Sequence, residues 1–116
     1  MRVILNNVGF NIIPTDKTNK DLGENNRGII YYEDLNILLD KNLPSDLLIQ
    51  TLYHEICHAI CEQTSFNNML EEKLGDNGYE IFIDNMGKIL YDIIHKNDMK
   101  KLEKELLKEV NNEEIV

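Results

Sequence analysis

Tryptophan is absent, cysteine and proline occur only twice each, and basic side chains number 12 against 21 acidic ones. Two cysteines cannot build the disulfide framework by which small secreted domains make up for a thin core. Cys57 and Cys61 stand one helical turn apart in a segment that reads as helix, where parallel side-chain directions disfavour a bridge, so both read as small buried hydrophobes. A formal charge of −9 repels phosphate backbones and anionic headgroups, which argues against a nucleic-acid partner. The one dense lysine stretch, Lys96 to Lys108, is interleaved with glutamates and makes no basic patch. No apolar run approaches the roughly 20 residues of a membrane-spanning helix. The start, MRVILNN, lacks the long apolar stretch and small-residue cleavage site of a secretory leader. A cytoplasmic protein with reduced thiols and no membrane association is the expectation. The 116 residues suffice for one domain with a real core.

What is present divides into a β-rich first half and an α-rich second half, with no repeat and no linker, which is the order of an α+β fold. Arg2 to Leu5 and Val8 to Ile13 are β-branched runs on either side of Asn6-Asn7, a hairpin turn, with Pro14 expected to end the second run. Thr15 to Arg27 is polar and reads as a surface loop. Gly28 to Tyr32 and Leu35 to Leu39 form a second strand pair around Glu33-Asp34. Pro44-Ser45 opens a long helix with Ser45 as its N-cap and Asp46 near the positive end of the dipole, running to about Thr64. On it Ile49, Leu52, Tyr53, Ile56 and Ile60 form an apolar stripe. A second helix is expected from about Gly78 to His95, with an apolar side of Tyr79, Phe82, Ile83, Met86, Leu90 and Ile93. Asn97-Asp98 breaks it. A third helix with Met99, Leu102, Leu106 and Val110 on one side reads as a terminal helix that closes the core.

His54-Glu55-Ile56-Cys57-His58 on the first helix is an H-E-x-x-H motif. Residues four apart on a helix lie one turn apart on one face, so both imidazoles can reach a single ion. Glu55 lies about 100° around the axis from His54, beside that face, where its carboxylate meets a water rather than the metal. Zinc held this way acidifies water towards a pKa of about 7, and the glutamate serves as general base. The apolar stripe runs elsewhere on the helix, so packing does not account for the histidines.

A glycine-led β-hairpin, then Leu43-Pro44, then TLYHEICHAI and an acidic helix together resemble the small zincin-like metallopeptidases of phages and mobile elements related to the ImmA/IrrE family. The resemblance spans roughly Gly28 to Leu90 and is strongest in the helix. It implies that His54 and His58 bind Zn²⁺, that Glu55 is the catalytic base, and that an acidic residue on the next helix completes the site. It also implies that the strand before the active helix, Leu35 to Leu39, can pair with an extended peptide, unless that strand is internal to the sheet.

Among the acidic residues, Glu80 is favoured as third ligand. The stretch from His58 to Glu80 is long enough to end one helix and present a carboxylate from its neighbour. Glu62 would lie about 12 Å along the axis from His54, and Glu71, Glu72 and Asp76 precede or occupy an expected loop, where a metal is harder to position. Asp84 is the alternative, turned about 40° further towards solvent. Gly87, on nearly the same side as Glu80, suits a close helix approach. Cys61 is too far along the axis from His54 to share its ion. His95, near a helix end, reads as a cap. Any of the five tyrosines can supply an oxyanion donor, and sequence does not choose among them. The function expected is zinc-dependent hydrolysis, most simply of a peptide bond in a peptide or protein substrate. The alternatives are hydrolysis of another acyl or amide bond, and a regulatory or binding protein that keeps the zinc site with little turnover. The oligomeric state is left open.

Overall fold

A computed structural model describes residues 1–115, with side-chain surroundings as far as Asn111. The architecture is α+β: strands β1 (Arg2–Leu5), β2 (Val8–Thr15), β3 (Gly28–Tyr31) and β4 (Asn36–Asp40) precede helices α1 (Ser45–Thr64), α2 (Phe66–Lys96) and α3 (Met99–Ile115). Both expected hairpins form, and they are joined into one sheet of order β1-β2-β4-β3 by a parallel pairing of β2 with β4. Asn6 and Asn7 both take positive φ, 51° and 66°, as a tight hairpin turn matched to the twist of its strands requires.

Pro14 does not end β2. The strand continues to Thr15, with Pro14 opposite Leu39. The Asn11 N–H bonds to Leu35 on the β4 side and the Ile12 N–H to Met1 on the β1 side. Alternation therefore turns the Pro14 nitrogen towards β1, beyond the point where β1 begins, and no ladder bond is lost. The start of β4 is also shifted, because Leu35 lies in the turn with φ 55°. β4 is internal, between β2 and β3, and four of its five residues are buried. The expectation that this strand pairs with a peptide is thus corrected, and the free edge beside α1 belongs to β3.

One face of the sheet packs on α1 through Phe10, Ile37, Leu39 and Ala59, with Leu48 and Leu52 at its margin. A second cluster, Cys57, Cys61, Tyr79 and Ile83, joins α1 to α2. The helix is therefore buried on two sides, and Ile60, expected in its apolar stripe, is 38% exposed. Ser45 is not the N-cap of α1. Pro44 occupies that place with extended ψ (147°), and its carbonyl accepts the Leu48 N–H at 2.8 Å.

After Ser65, left-handed at φ 62°, the chain turns directly into an unexpected helical stretch at Phe66, which breaks at the non-helical Gly75 (φ 73°, ψ 173°); the stretch of α2 beyond that break runs to Lys96 and is the helix expected from about Gly78 to His95. Glu71, Glu72 and Asp76 are thus helical rather than in a loop. α3 does not close the core: every side chain described on it, Met99 to Asn111, is exposed.

α1 and α2 come close together at Gly87, where a Cβ would stand 3.1 Å from the His54 nitrogen and 3.2 Å from its Cα. These are backbone atoms and cannot swing aside. Gly87→Ala should therefore force the helices apart at a cost of about 1–3 kcal/mol. The measurement is a thermal midpoint lowered by roughly 5–15 °C, and an unchanged midpoint would show the contact to be slack.

Candidate metal centre

Three donors converge where α1 faces α2. The close helix approach at Gly87 brings the α2 carboxylates over the turn of α1 that carries both histidines. Glu80 Oε2 lies 3.4 Å from His54 Nε2, and Glu80 Oε1 lies 3.2 Å from His58 Nε2. One donor atom from each of the three residues falls within 4.8 Å of the others. A tetrahedral zinc with bonds of about 2.0–2.1 Å to nitrogen and oxygen has ligand-to-ligand edges of about 3.4 Å. The two carboxylate-to-imidazole distances are made by different oxygens of Glu80, so a single shared ion would draw the three donors closer than the 4.8 Å within which they lie; two imidazoles with one carboxylate is a donor set suited to zinc.

The other nitrogen of each ring is also engaged. His54 Nδ1 faces Asp84 Oδ1 at 3.7 Å, and Asp84 in turn pairs with Lys88 at 3.0 Å. His58 Nδ1 meets the Tyr79 hydroxyl at 3.2 Å. Such partners fix the orientation of a metal-binding imidazole and leave Nε2 free for the ion. Asp84, the alternative third ligand, thus faces the Nδ1 side of His54, whereas Glu80 faces its Nε2. Tyr79 has no signal in the sequence beyond its place in an apolar stripe. Its neighbour Glu80 and the i+4 residue Asp84 belong to the same helical patch, so one turn of α2 serves both rings.

Glu55 is only 6% exposed, held beneath the strand that leads into the site. At Gly28 a Cβ would come within 2.9 Å of Thr51 Cγ2 and 3.3 Å of Glu55 Cγ, so only glycine lets β3 lie this close to α1. Burial, and then the nearby charge of Glu80, push the Glu55 carboxyl up to about 7 from 4.5. Burial is also the main reason the His58 pKa is lowered, against the opposing pull of Glu80. A neutral imidazole is the form that binds a metal. Asp84 is held below its usual range, chiefly by its hydrogen bond with Lys88.

Two cavities flank this centre. One of about 420 Å³ runs past Asn25, Gly28, Thr51, His54, Glu55 and Asp84, and the other, of about 410 Å³, past Gly28, Ile30, Tyr32, His58 and Glu80. Both share Asn26, Gly28, His54 and Glu55, so the donors sit at the middle of an open cleft. Of the five tyrosines, Tyr79 supports His58 and Tyr32 lines the cleft. Burial, followed by the charge of Glu62, drives the Tyr32 hydroxyl well above its ordinary value, so it stays protonated.

Other sequence candidates fall elsewhere. Cys57 and Cys61 are free and buried in the α1–α2 contact, and burial pushes Cys57 up to about 11. His95 lies in the last turn of α2, bonded to the Tyr91 carbonyl and stacked on its ring.

Protein purified without chelator should carry one zinc per chain by elemental analysis. His54→Ala, His58→Ala and Glu80→Ala should each lose it, while Asp84→Asn should weaken binding by about 10–100-fold without abolishing it. Full retention in Glu80→Ala would remove that residue from the set.

The metal-free protein carries a pH signature of Glu55. A carboxyl whose folded pKa lies above its unfolded value favours the fold while protonated. Its contribution is full below about 4.5 and is lost as pH rises through about 7. Thermal midpoints of metal-free wild type, relative to metal-free Glu55→Gln, should fall across that interval. A flat difference would mean that Glu55 is not held in a desolvated site.

No protein-family model, no curated protein and no solved structure matches this chain.

Proposed function

We propose that this chain is a zinc-dependent hydrolase that cleaves peptide bonds, with His54, His58 and Glu80 as metal ligands and Glu55 as general base. The observation that carries the reading is the placing of a Glu80 carboxylate across both Nε2 atoms, 3.4 and 3.2 Å away, beside a buried glutamate that opens onto a cleft. A purely structural zinc site has no use for such a base and closes its fourth position. Zinc, when bound, supplies Lewis acidity that polarises a carbonyl and acidifies water.

The remaining work falls to the chain's own groups. Glu55 takes a proton from the attacking water as its oxygen bonds to the carbonyl carbon. It then gives the proton to the departing amine nitrogen as the C–N bond breaks. A carboxyl pushed up to about 7 is matched to both halves of that exchange near neutral pH. Tyr32, still protonated, is the hydroxyl positioned on the cleft to donate to the developing oxyanion.

The substrate is an extended peptide or protein segment. β3 is an edge strand hydrogen-bonded to β4 alone, and Gly28, Ile29 and Ile30 line the cleft with His54 and Glu55. A peptide added to that edge as a further strand lies across the donors, its backbone held by main-chain bonds. No helix among the described residues is long and apolar enough to cross a membrane. The free thiols of Cys57 and Cys61 suit a reducing, cytoplasmic compartment. The zincin-like resemblance of the H-E-x-x-H helix is consistent with this assignment.

Cleavage of a denatured protein substrate by the zinc-loaded chain, followed by mass spectrometry, is the test. Glu55→Gln should retain zinc and lose at least about 100-fold in turnover. Tyr32→Phe should lower kcat roughly 100-fold with little change in KM. A zinc-loaded wild type without turnover would leave the regulatory, zinc-binding reading in its place. Equal rates in Tyr32→Phe would move the oxyanion donor elsewhere.

A further inference from the structure

The free edge of β3 carries information about which side chain the cleft accepts. In an antiparallel ladder the backbone groups of successive residues point alternately towards the partner strand and away from it. The Asp40 N–H donates to the Arg27 carbonyl at 2.8 Å, and the register pairs Gly28 with Leu39, Ile29 with Leu38 and Ile30 with Ile37. Arg27 and Ile29 therefore spend their backbone groups on β4, whereas the N–H and C=O of Gly28 and Ile30 point out from the free edge. The same two residues face α1: a Cβ on Gly28 would meet Thr51 and Glu55, and Ile30 packs on the core beneath. A strand added to this edge, in either direction, turns the side chain beside Gly28 to that same face. That side chain enters the cavity of about 420 Å³.

The floor of this cavity is the face of α1 that carries Leu47, Gln50, Thr51 and His54, whose spacings are those of one helical side. Most polar groups around it are already engaged. The Thr51 hydroxyl donates to the Leu47 carbonyl at 2.7 Å, the Asn26 amide donates to the Leu22 carbonyl at 2.9 Å, and Lys88 pairs with Asp84 at 3.0 Å. Arg27 is exposed, and as the neighbour of Gly28 it alternates away from α1. Gln50 differs from these. It is half-buried on the cavity floor, and its side-chain amide has no hydrogen-bond partner among the described residues.

A primary amide offers two donors and an acceptor. Its complement is another amide, which accepts from Gln50 Nε2 while donating to Gln50 Oε1. The Lys88–Asp84 pair on the same wall narrows the choice further. A guest carboxylate there meets Asp84 and a guest ammonium meets Lys88, whereas a neutral dipolar group meets no like charge. We propose that Gln50 is a specificity-determining residue, and that the cleft selects a glutamine side chain at the substrate position beside Gly28. The stem of that side chain lies against Leu47 and its amide against Gln50. The inference rests on the peptide-binding cleft of the proposed function, and not on turnover.

The probe is a set of blocked hexapeptides of alanine and serine that carry one Gln, Leu, Glu or Lys at each position in turn. They are titrated by NMR into the full-length Glu55→Gln protein loaded with zinc. One position should favour Gln over the other three by about tenfold, the worth of two hydrogen bonds in an open site. Gln50→Leu in the same background should bring Gln down to the level of Leu, with zinc content and thermal midpoint held. Gln50→Glu, which keeps the length of the side chain and loses its donors, should also lose the preference. Binding without preference for Gln, no binding by any peptide, or a preference untouched by Gln50→Leu overturns the proposal. Wild type given the same peptides separates this result from the hydrolase reading. Cleavage at a fixed distance from the glutamine supports both, selective binding without cleavage keeps the subsite and removes the hydrolase, and cleavage indifferent to glutamine does the reverse.

Discussion

The contact of Gly87 with the backbone of His54 is the constraint on which the site depends. Because a hydrogen replaces a side chain there, α2 lies against α1 one and two turns beyond Tyr79, Glu80 and Asp84. At that separation a glutamate spans both Nε2 atoms, a tyrosine reaches His58 Nδ1 and an aspartate faces His54 Nδ1. Widening by even one methyl group would move three polar contacts together. Apolar packing by Cys57, Cys61 and Ile83 in the same interface supplies the adhesion, so ordinary burial positions the chemistry.

Electrostatics at that contact favour a dication. Glu55, Glu80 and Asp84 bring three carboxylates around two imidazoles, with Lys88 as the only cation paired there among the described residues. The lysine satisfies Asp84, on the far side of His54. Glu55 and Glu80 repel each other, which is part of why the buried Glu55 holds its proton so firmly. A divalent ion held by the Nε2 atoms and a Glu80 oxygen would relieve this repulsion. The same arrangement has little to offer an anionic ligand.

Local signals in the chain were read well, and contacts between distant segments poorly. The H-E-x-x-H helix, its end near Thr64, the Asn6-Asn7 turn and both hairpins follow from period and turn chemistry, which act over a few residues. Glu80 was singled out by helix geometry together with the resemblance, and it does stand against both histidines; Gly87 was singled out by helix geometry, and it does stand at a close helix approach. The helical stretch from Phe66 to the break at Gly75 was hidden, because the polar residues around Glu71 and Glu72 carry no apolar period, whereas Leu70 packs on the α1–α2 cluster. The internal place of β4 was hidden for another reason. A parallel pairing with β2 is a long-range match that leaves no pattern within either strand. Tyr79 was absorbed by its apolar stripe, since a ring that packs and a hydroxyl that bonds are one residue type in the sequence.

The donors and the base hang from different parts of the fold. His54, His58 and Glu80 are set by the α1–α2 contact, whereas Glu55 is pressed from the other side by Gly28 and the start of β3. α1 is therefore the shared wall between the His54–His58–Glu80 cluster and the edge strand β3, and a single helical turn presents residues to both. The two halves are physically separate: a change confined to α2 acts on Glu80 and the partners of the imidazoles while leaving Glu55 desolvated beneath β3, and a change at Gly28 disturbs Glu55 and the β3 edge while the two imidazoles keep their partners.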